Sequence, residues 1–175
     1  MHNVSHVVAY FCKMLHDWYF VATDVAGLSG GMVVLWNLLW VRAKAFSCSV
    51  AILIDVRLRV VWDHFHILNV YGPYRNRTTF WEALFAYGIM ELSSLIIVGD
   101  LNCSVGLDEV LGKTKKLDPM EGFIREAFIE HNYIDVCLPM LVPTWYNGRK
   151  GDAYIAKRLD RFIIHESLME QLGNI

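Results

Sequence analysis

Ser94-Leu95-Ile96-Ile97-Val98-Gly99-Asp100-Leu101-Asn102 is the most informative stretch of the chain. Five residues, four of them apolar, make a compact strand, and a glycine then leads into an acid and an amide two positions apart. Polar side chains in that place are presented at the end of a sheet and need not enter the core. Asp100 can orient a water through its carboxylate while Asn102 donates to a phosphate or carbonyl oxygen. A plain Asx-turn explains the same tetrapeptide. Working outward, a helix is expected on either side. Thr79 with Glu82 three residues on reads as a capping box, followed by Phe80, Trp81, Leu84, Phe85, Ile89 and Leu92 at near-helical spacing. Asp118 with Pro119 at the first helical position opens the second, whose stripe is Met120, Phe123, Ile124, Ala127 and Phe128.

Upstream, residues 32–40 and 47–61 are rich in Val, Ile, Leu and Trp, as strands buried on both faces tend to be. Residues 64–71 alternate, with Phe65, Ile67, Asn69 and Tyr71 on one face and His66, Leu68 and Val70 on the other, and Gly72-Pro73 ends the run. Downstream, residues 133–138 and 144–146 read as short strands, Asn147-Gly148 as a hairpin turn, and residues 158–164 as a last strand. Strands interspersed with two helices, without repeats or low-complexity linkers, point to one α/β or α+β domain in the 175 residues. With 55% apolar and 19% charged residues a disordered chain is excluded. The net charge of −2 supplies no global basic field, so any nucleic-acid binding must be local. No apolar run approaches the ~20 residues of a membrane span, and the start of the chain is poor as a signal peptide; an intracellular protein, nuclear or cytoplasmic, with no membrane partner is expected. Cys12, Cys48, Cys103 and Cys137 form no CxxC pair and read as buried free thiols.

Five motifs occur in order: Gly30-Gly31-Met32-Val33-Val34-Leu35-Trp36, Asn69-Val70-Tyr71-Gly72-Pro73, Gly99-Asp100-Leu101-Asn102, Pro143-Thr144-Trp145 with Asn147-Gly148-Arg149, and Arg158-Leu159-Asp160-Arg161-Phe162. Together they resemble the endonuclease/exonuclease/phosphatase family, most closely the endonuclease domain of plant LINE-type (non-LTR) retrotransposons. The resemblance covers residues 15–168, leaving a poorly matched segment at 1–14 and a tail at 169–175. It implies an α+β fold, a two-layered α/β sandwich of the deoxyribonuclease I-like type, with a magnesium-dependent site for cutting DNA at its strand-end loops. Residue by residue, Asp100 matches the aspartate that activates water and Asn102 the amide at the scissile phosphate. Tyr71 matches a tyrosine that hydrogen-bonds the phosphate, and Asp160 the acid that orients a catalytic histidine. Thr144 matches a threonine at the rim of the site, and Trp145 beside it is a candidate substrate contact.

Three departures accompany the likeness. The family has a metal-binding glutamate upstream of the Gly-Gly strand, and residues 1–14 contain no Glu; the family closes on Ser-Asp-His, which residues 165–175 lack. Tyr74 stands where related nucleases often have an asparagine. The expectation is a copy incomplete at both ends, lacking first and last strands, with magnesium binding weak or lost and little turnover. Its exposed strand edges would favour self-association. A non-catalytic nucleic-acid-binding or interaction remnant of the same fold is the alternative.

Other features have plainer readings. His64 and His66 share a strand face, but without a Cys or third His at compatible spacing they read as solvent-facing or core histidines. Lys113, Lys115 and Lys116 form either a DNA-tracking loop or a solvated one. Trp36, Trp40, Trp62 and Trp81 lie in apolar periodic segments and fit core packing. Gly30-Gly31 lacks the Lys-Ser/Thr pair of a nucleotide site and fits close strand packing.

Overall fold

A computed structural model of the chain describes residues 10–11, 13–23, 31–48, 50–59, 64–137 and 142–173. Two compact units divide the chain, Met1–Tyr71 and Gly72–Ile175.

In the first unit β1 (Trp18–Thr23) pairs antiparallel with β2 (Met32–Asn37), Trp18 opposite Asn37 and Thr23 opposite Met32. A three-strand meander follows: β3 (Val41–Cys48), β4 (Ala51–Leu58) and β5 (His64–Tyr71), each antiparallel to the one before. Period-two alternation decides the faces. Ile52, Ile54 and Val56 point one way and form a buried cluster with Met32, against which Ala43, Phe65, Ile67 and Tyr71 pack. Asp55, Arg57, His64 and His66 alternate with these residues and so occupy the opposite face.

In the second unit β6 (Leu95–Asp100) pairs antiparallel with β11 (Asp160–His165), which pairs on its other side with β8 (Tyr133–Asp135). A smaller sheet joins β7 (Val110–Gly112), β10 (Ile155–Lys157) and β9 (Trp145–Tyr146), with β10 in the middle. The helices of this unit are α1 (Arg77–Ala86), α2 (Glu121–Glu130) and α3 (Glu166–Gly173), with short 3-10 turns at Ile89–Glu91 and Gly151–Ala153. α1 buries Trp81 and Leu84, while α2 buries Ile124, Ala127 and Phe128. Phe85 and Phe123 stack at 5.6 Å between the two helices. Among the described residues no helix is long and apolar enough to cross a membrane.

Several local expectations are corrected. β3 ends at Cys48 and β4 begins at Ala51, so residues 47–61 are not one strand, and Ser47, Cys48 and Arg57 in that stretch are exposed. α1 starts at Arg77 behind Asn76, which takes a left-handed conformation (φ 54°) and makes no side-chain cap. Thr79 therefore falls inside the first turn and is no cap. α2 starts at Glu121 behind Met120, so Pro119 lies in the preceding turn and not at the first helical position; Asp118 shapes that turn, its Oδ1 accepting from the Met120 N–H at 3.0 Å and from Arg77 Nη2 at 2.6 Å. Asn147-Gly148 does not close a two-residue hairpin. Asn147 spans a longer loop, its amide nitrogen donating to Ala153 O (2.8 Å) and its Oδ1 accepting from the N–H groups of Arg149 and Ile155. Trp40 is 60% exposed, unlike buried Trp36 and Trp81. Cys48 and Cys137 are exposed too, and only the Cys103 thiol, pushed up to about 12 by burial and then by Asp118, is a buried one among those described. Cys12 and Trp62 lie outside the described residues.

Candidate active site

Pairing of β6 with β11 places Asp100 directly opposite Asp160 at the strand ends. Residues directly opposite in an antiparallel ladder project to one face with Cβ atoms about 4.5–5.5 Å apart, and two like charges there are destabilising. Asp160 is exposed and Asp100 half-buried. Burial raises the Asp100 carboxyl above the usual aspartate range, the neighbouring Asp160 charge pushes it the same way, and the Asn102 N–H partly opposes both. A hard divalent cation prefers carboxylate oxygens and would relieve that repulsion, so these two residues fit magnesium.

The chain around Asp100 is held in four places. Its backbone carbonyl accepts from the Gly72 N–H at 2.6 Å, and its Oδ1 from the Asn102 N–H at 2.7 Å. The second bond is an Asx-turn, so the turn reading and the site reading of this tetrapeptide both hold in part. Asn102 adopts φ 51°, in the left-handed region that Asn tolerates better than most residues, and its amide nitrogen donates to the Gly72 carbonyl. Leu101 N–H donates to Leu159 O at 3.0 Å, tying the same turn to the residue before Asp160.

Thr144 secures the other side. Its hydroxyl oxygen accepts from the N–H groups of Leu159 and Asp160, each at 3.0 Å, and its own N–H donates to Lys157 O at 2.9 Å. Trp145 follows in β9, opposite Lys157, and is 43% exposed. The second unit thus brings Asp100, Asn102, Thr144 and Asp160 together. Tyr71 is the last residue of the first unit, with its side chain against the Ile52–Val56 cluster.

Sequence reasoning missed what holds Asp160 in place. Arg158 and Arg161 are buried and share Glu109 and Asp135. Arg158 donates to Asp135 at 2.6 and 2.8 Å and to Glu109 at 3.0 Å; Arg161 bonds Glu109 at 2.5 and 2.9 Å and also Asp135. Two guanidinium and two carboxylate groups balance, which is the condition for burying charge at all. Arg158 and Arg161 flank Leu159-Asp160, so the quartet fixes the start of β11. The signal was present as Arg-x-x-Arg, but strict alternation would send residues three apart to opposite faces. They meet because Arg158 lies before β11 begins.

The same arrangement of strands and helices is found in solved structures. The endonuclease domain of TRAS1, a telomere-specific non-LTR retrotransposon, superposes with a TM-score of 0.68 at 13% identity, covering 94% of this chain and 79% of that one. D. rerio TDP2 complexed with a single-strand DNA product gives 0.56 at 11% identity, over 93% of this chain and 68% of its own. A mannosyl-6-phosphatase of Bacteroides thetaiotaomicron gives 0.55 at 11%, with the same coverage. The fold is the DNase I-like endonuclease/exonuclease/phosphatase fold. At such identities the likeness carries the fold alone. No protein-family model matches the sequence, and no curated protein matches it. The endonuclease/exonuclease/phosphatase fold nonetheless agrees with the one that the ordered motifs imply.

Proposed function

We propose that this chain is a retrotransposon-derived phosphodiesterase that acts on DNA with magnesium and turns over slowly. The observation that carries the reading is the cross-strand pair Asp100 and Asp160, at strand ends of an endonuclease/exonuclease/phosphatase fold. Hydrolysis requires in-line attack by water, forming one P–O bond and breaking the bond to the leaving sugar oxygen. Asp100 accepts the proton of that water, and its raised pKa brings it nearer the range where a carboxylate is an effective base. Asp160 lies beside it for cation binding, and magnesium held there would neutralise the non-bridging oxygens. Asn102 is assigned to the phosphate, and Thr144 and Trp145 to the rim where the strand passes. Slow turnover is expected because Asn102 and Thr144 already spend polar capacity on Gly72, Leu159 and Asp160.

Those commitments also favour the second reading, DNA binding without cleavage. Nicking of supercoiled plasmid with magnesium, abolished by chelator, distinguishes the two. Asp100→Ala should lower the nicking rate by about 10²–10⁴. Undiminished nicking in that variant overturns the site assignment, and binding without nicking by the wild type supports the second reading.

A further inference from the structure

The first unit carries a cluster of its own, made entirely of β4 and β5 residues. On the face opposite the Ile52–Val56 cluster, Asp55 lies across the ladder from His66, and His64 is two residues earlier on the same strand face. His64 Nε2 is 2.5 Å from Asp55 Oδ1, and the two imidazole rings are 4.9 Å apart between centroids at 69°. One ligand atom from each of the three residues lies within 4.8 Å of the others. The His64 and Asp55 side chains are 42% and 25% exposed, which leaves a path from solvent.

We propose that Asp55, His64 and His66 form a binding site for one zinc ion. Two imidazoles and a carboxylate suit zinc, which takes three protein ligands with water in the fourth position. Bonds of about 2.0–2.2 Å to a tetrahedral zinc set ligand atoms roughly 3.3–3.6 Å apart, so His64 Nε2 and Asp55 Oδ1, now 2.5 Å apart, must separate, which side-chain rotation at exposed His64 allows. Magnesium, which prefers an all-oxygen shell, is disfavoured here. Within the sheet Lys44 lies opposite Asp55 and Arg57 opposite His64. Their charges oppose a cation, so the affinity is modest and responds to them. The His64–Asp55 hydrogen bond is the arrangement that zinc displaces. A bound ion would tie the neighbouring strands β4 and β5 together through side chains as well as through the ladder.

The inference stands apart from the phosphodiesterase reading, because zinc binding is measured without DNA. The chelator-stripped full chain is titrated with Zn2+ alone against a chromogenic competitor, and with Co2+ as a spectroscopic substitute. The expected result is one ion per chain, with His64→Asn, His66→Asn and Asp55→Asn each weakening binding about tenfold or more, the scale that loss of even an outer partner reaches. Lys44→Gln should tighten it. His64 is exposed, so His64→Asn keeps the test valid where the His66 variant misfolds by circular dichroism. Absence of one-to-one binding, unchanged affinity in both His64→Asn and Asp55→Asn, or a thiolate charge-transfer band from cobalt at Cys48 or Cys137 would overturn the proposal.

Discussion

Asp100 is held against two opposing demands, a half-buried position beside another carboxylate and a backbone that uses its oxygen to shape a turn. Its folded-state pKa is raised above the unfolded value, so the native state binds the proton more tightly than the unfolded chain does. Stability therefore falls as pH rises from the ordinary aspartate range through the raised pKa, and the penalty is complete above it. Asp100→Asn, which keeps an oxygen for the Asn102 N–H, should melt higher than wild type at neutral pH, with the difference vanishing once the buffer is taken below the model-compound value of 3.8. Thermal melts at several pH values check this. Any nicking should show the matching acid limb, rising with pH as Asp100 deprotonates. Gly72 has a different constraint. A Cβ there would fall within 2.6 Å of the Leu101 carbonyl carbon, and closer still to its oxygen, both rigid backbone atoms. Gly72→Ala should cost about 1–3 kcal/mol in urea unfolding, the usual scale of overpacking, and impair the Asp100 turn with it.

Secondary-structure elements depend on contacts remote in sequence. Arg161 is fully buried and serves Glu109 and Asp135 together, so Arg161→Met strands carboxylates away from water. Its expected cost is about 3–5 kcal/mol by denaturant titration, since breaking a buried pair leaves an uncompensated charge. In the first unit β3 pairs with β4 and presents Arg42 and Lys44, charges that discourage strand addition. Replacing both by Val should increase self-association in sedimentation measurements. Sequence reading succeeded where one signal dominated: residues 64–71 were legible from alternation and residues 94–98 from a compact apolar run. It failed where short range competed with long range. β7 and β10, three residues each, exist through pairing with each other and carry no periodicity long enough to read. Thr79 and Glu82 satisfied a capping pattern, but the chain turned at Asn76 instead. Asp100 and Asn102 were visible as a strand-end pair. Asp55 was not, because the strand pairing that brings it to His64 and His66 joins residues nine or more apart.

For the molecule as a whole, the charge of −2 limits how DNA could be held. A protein without a broad positive field gains little by counterion release, so binding should be only moderately salt-dependent. Lys115 and Lys116, both exposed beyond β7, are the residues with which to test local attraction. Replacing each by Gln should reduce the slope of log affinity against log salt by about one if it contacts a phosphate. An unchanged slope would assign the loop to solvent. Lys113 is less informative, since it already faces Asp152 at 2.6 Å.

The quartet of buried Arg158, Arg161 and Glu109 with half-buried Asp135 also bears on how such a chain can change over generations. Because its charges sum to zero, replacement of any one member by a neutral residue leaves an odd charge inside. Tolerated lineages should therefore exchange members in opposite-signed couples or retain all four, so these positions ought to vary together among descendants even where the Asp100 surroundings have drifted. Compensation within the quartet is directly measurable: an Arg161→Met, Glu109→Leu double replacement should recover part of the stability that Arg161→Met loses alone.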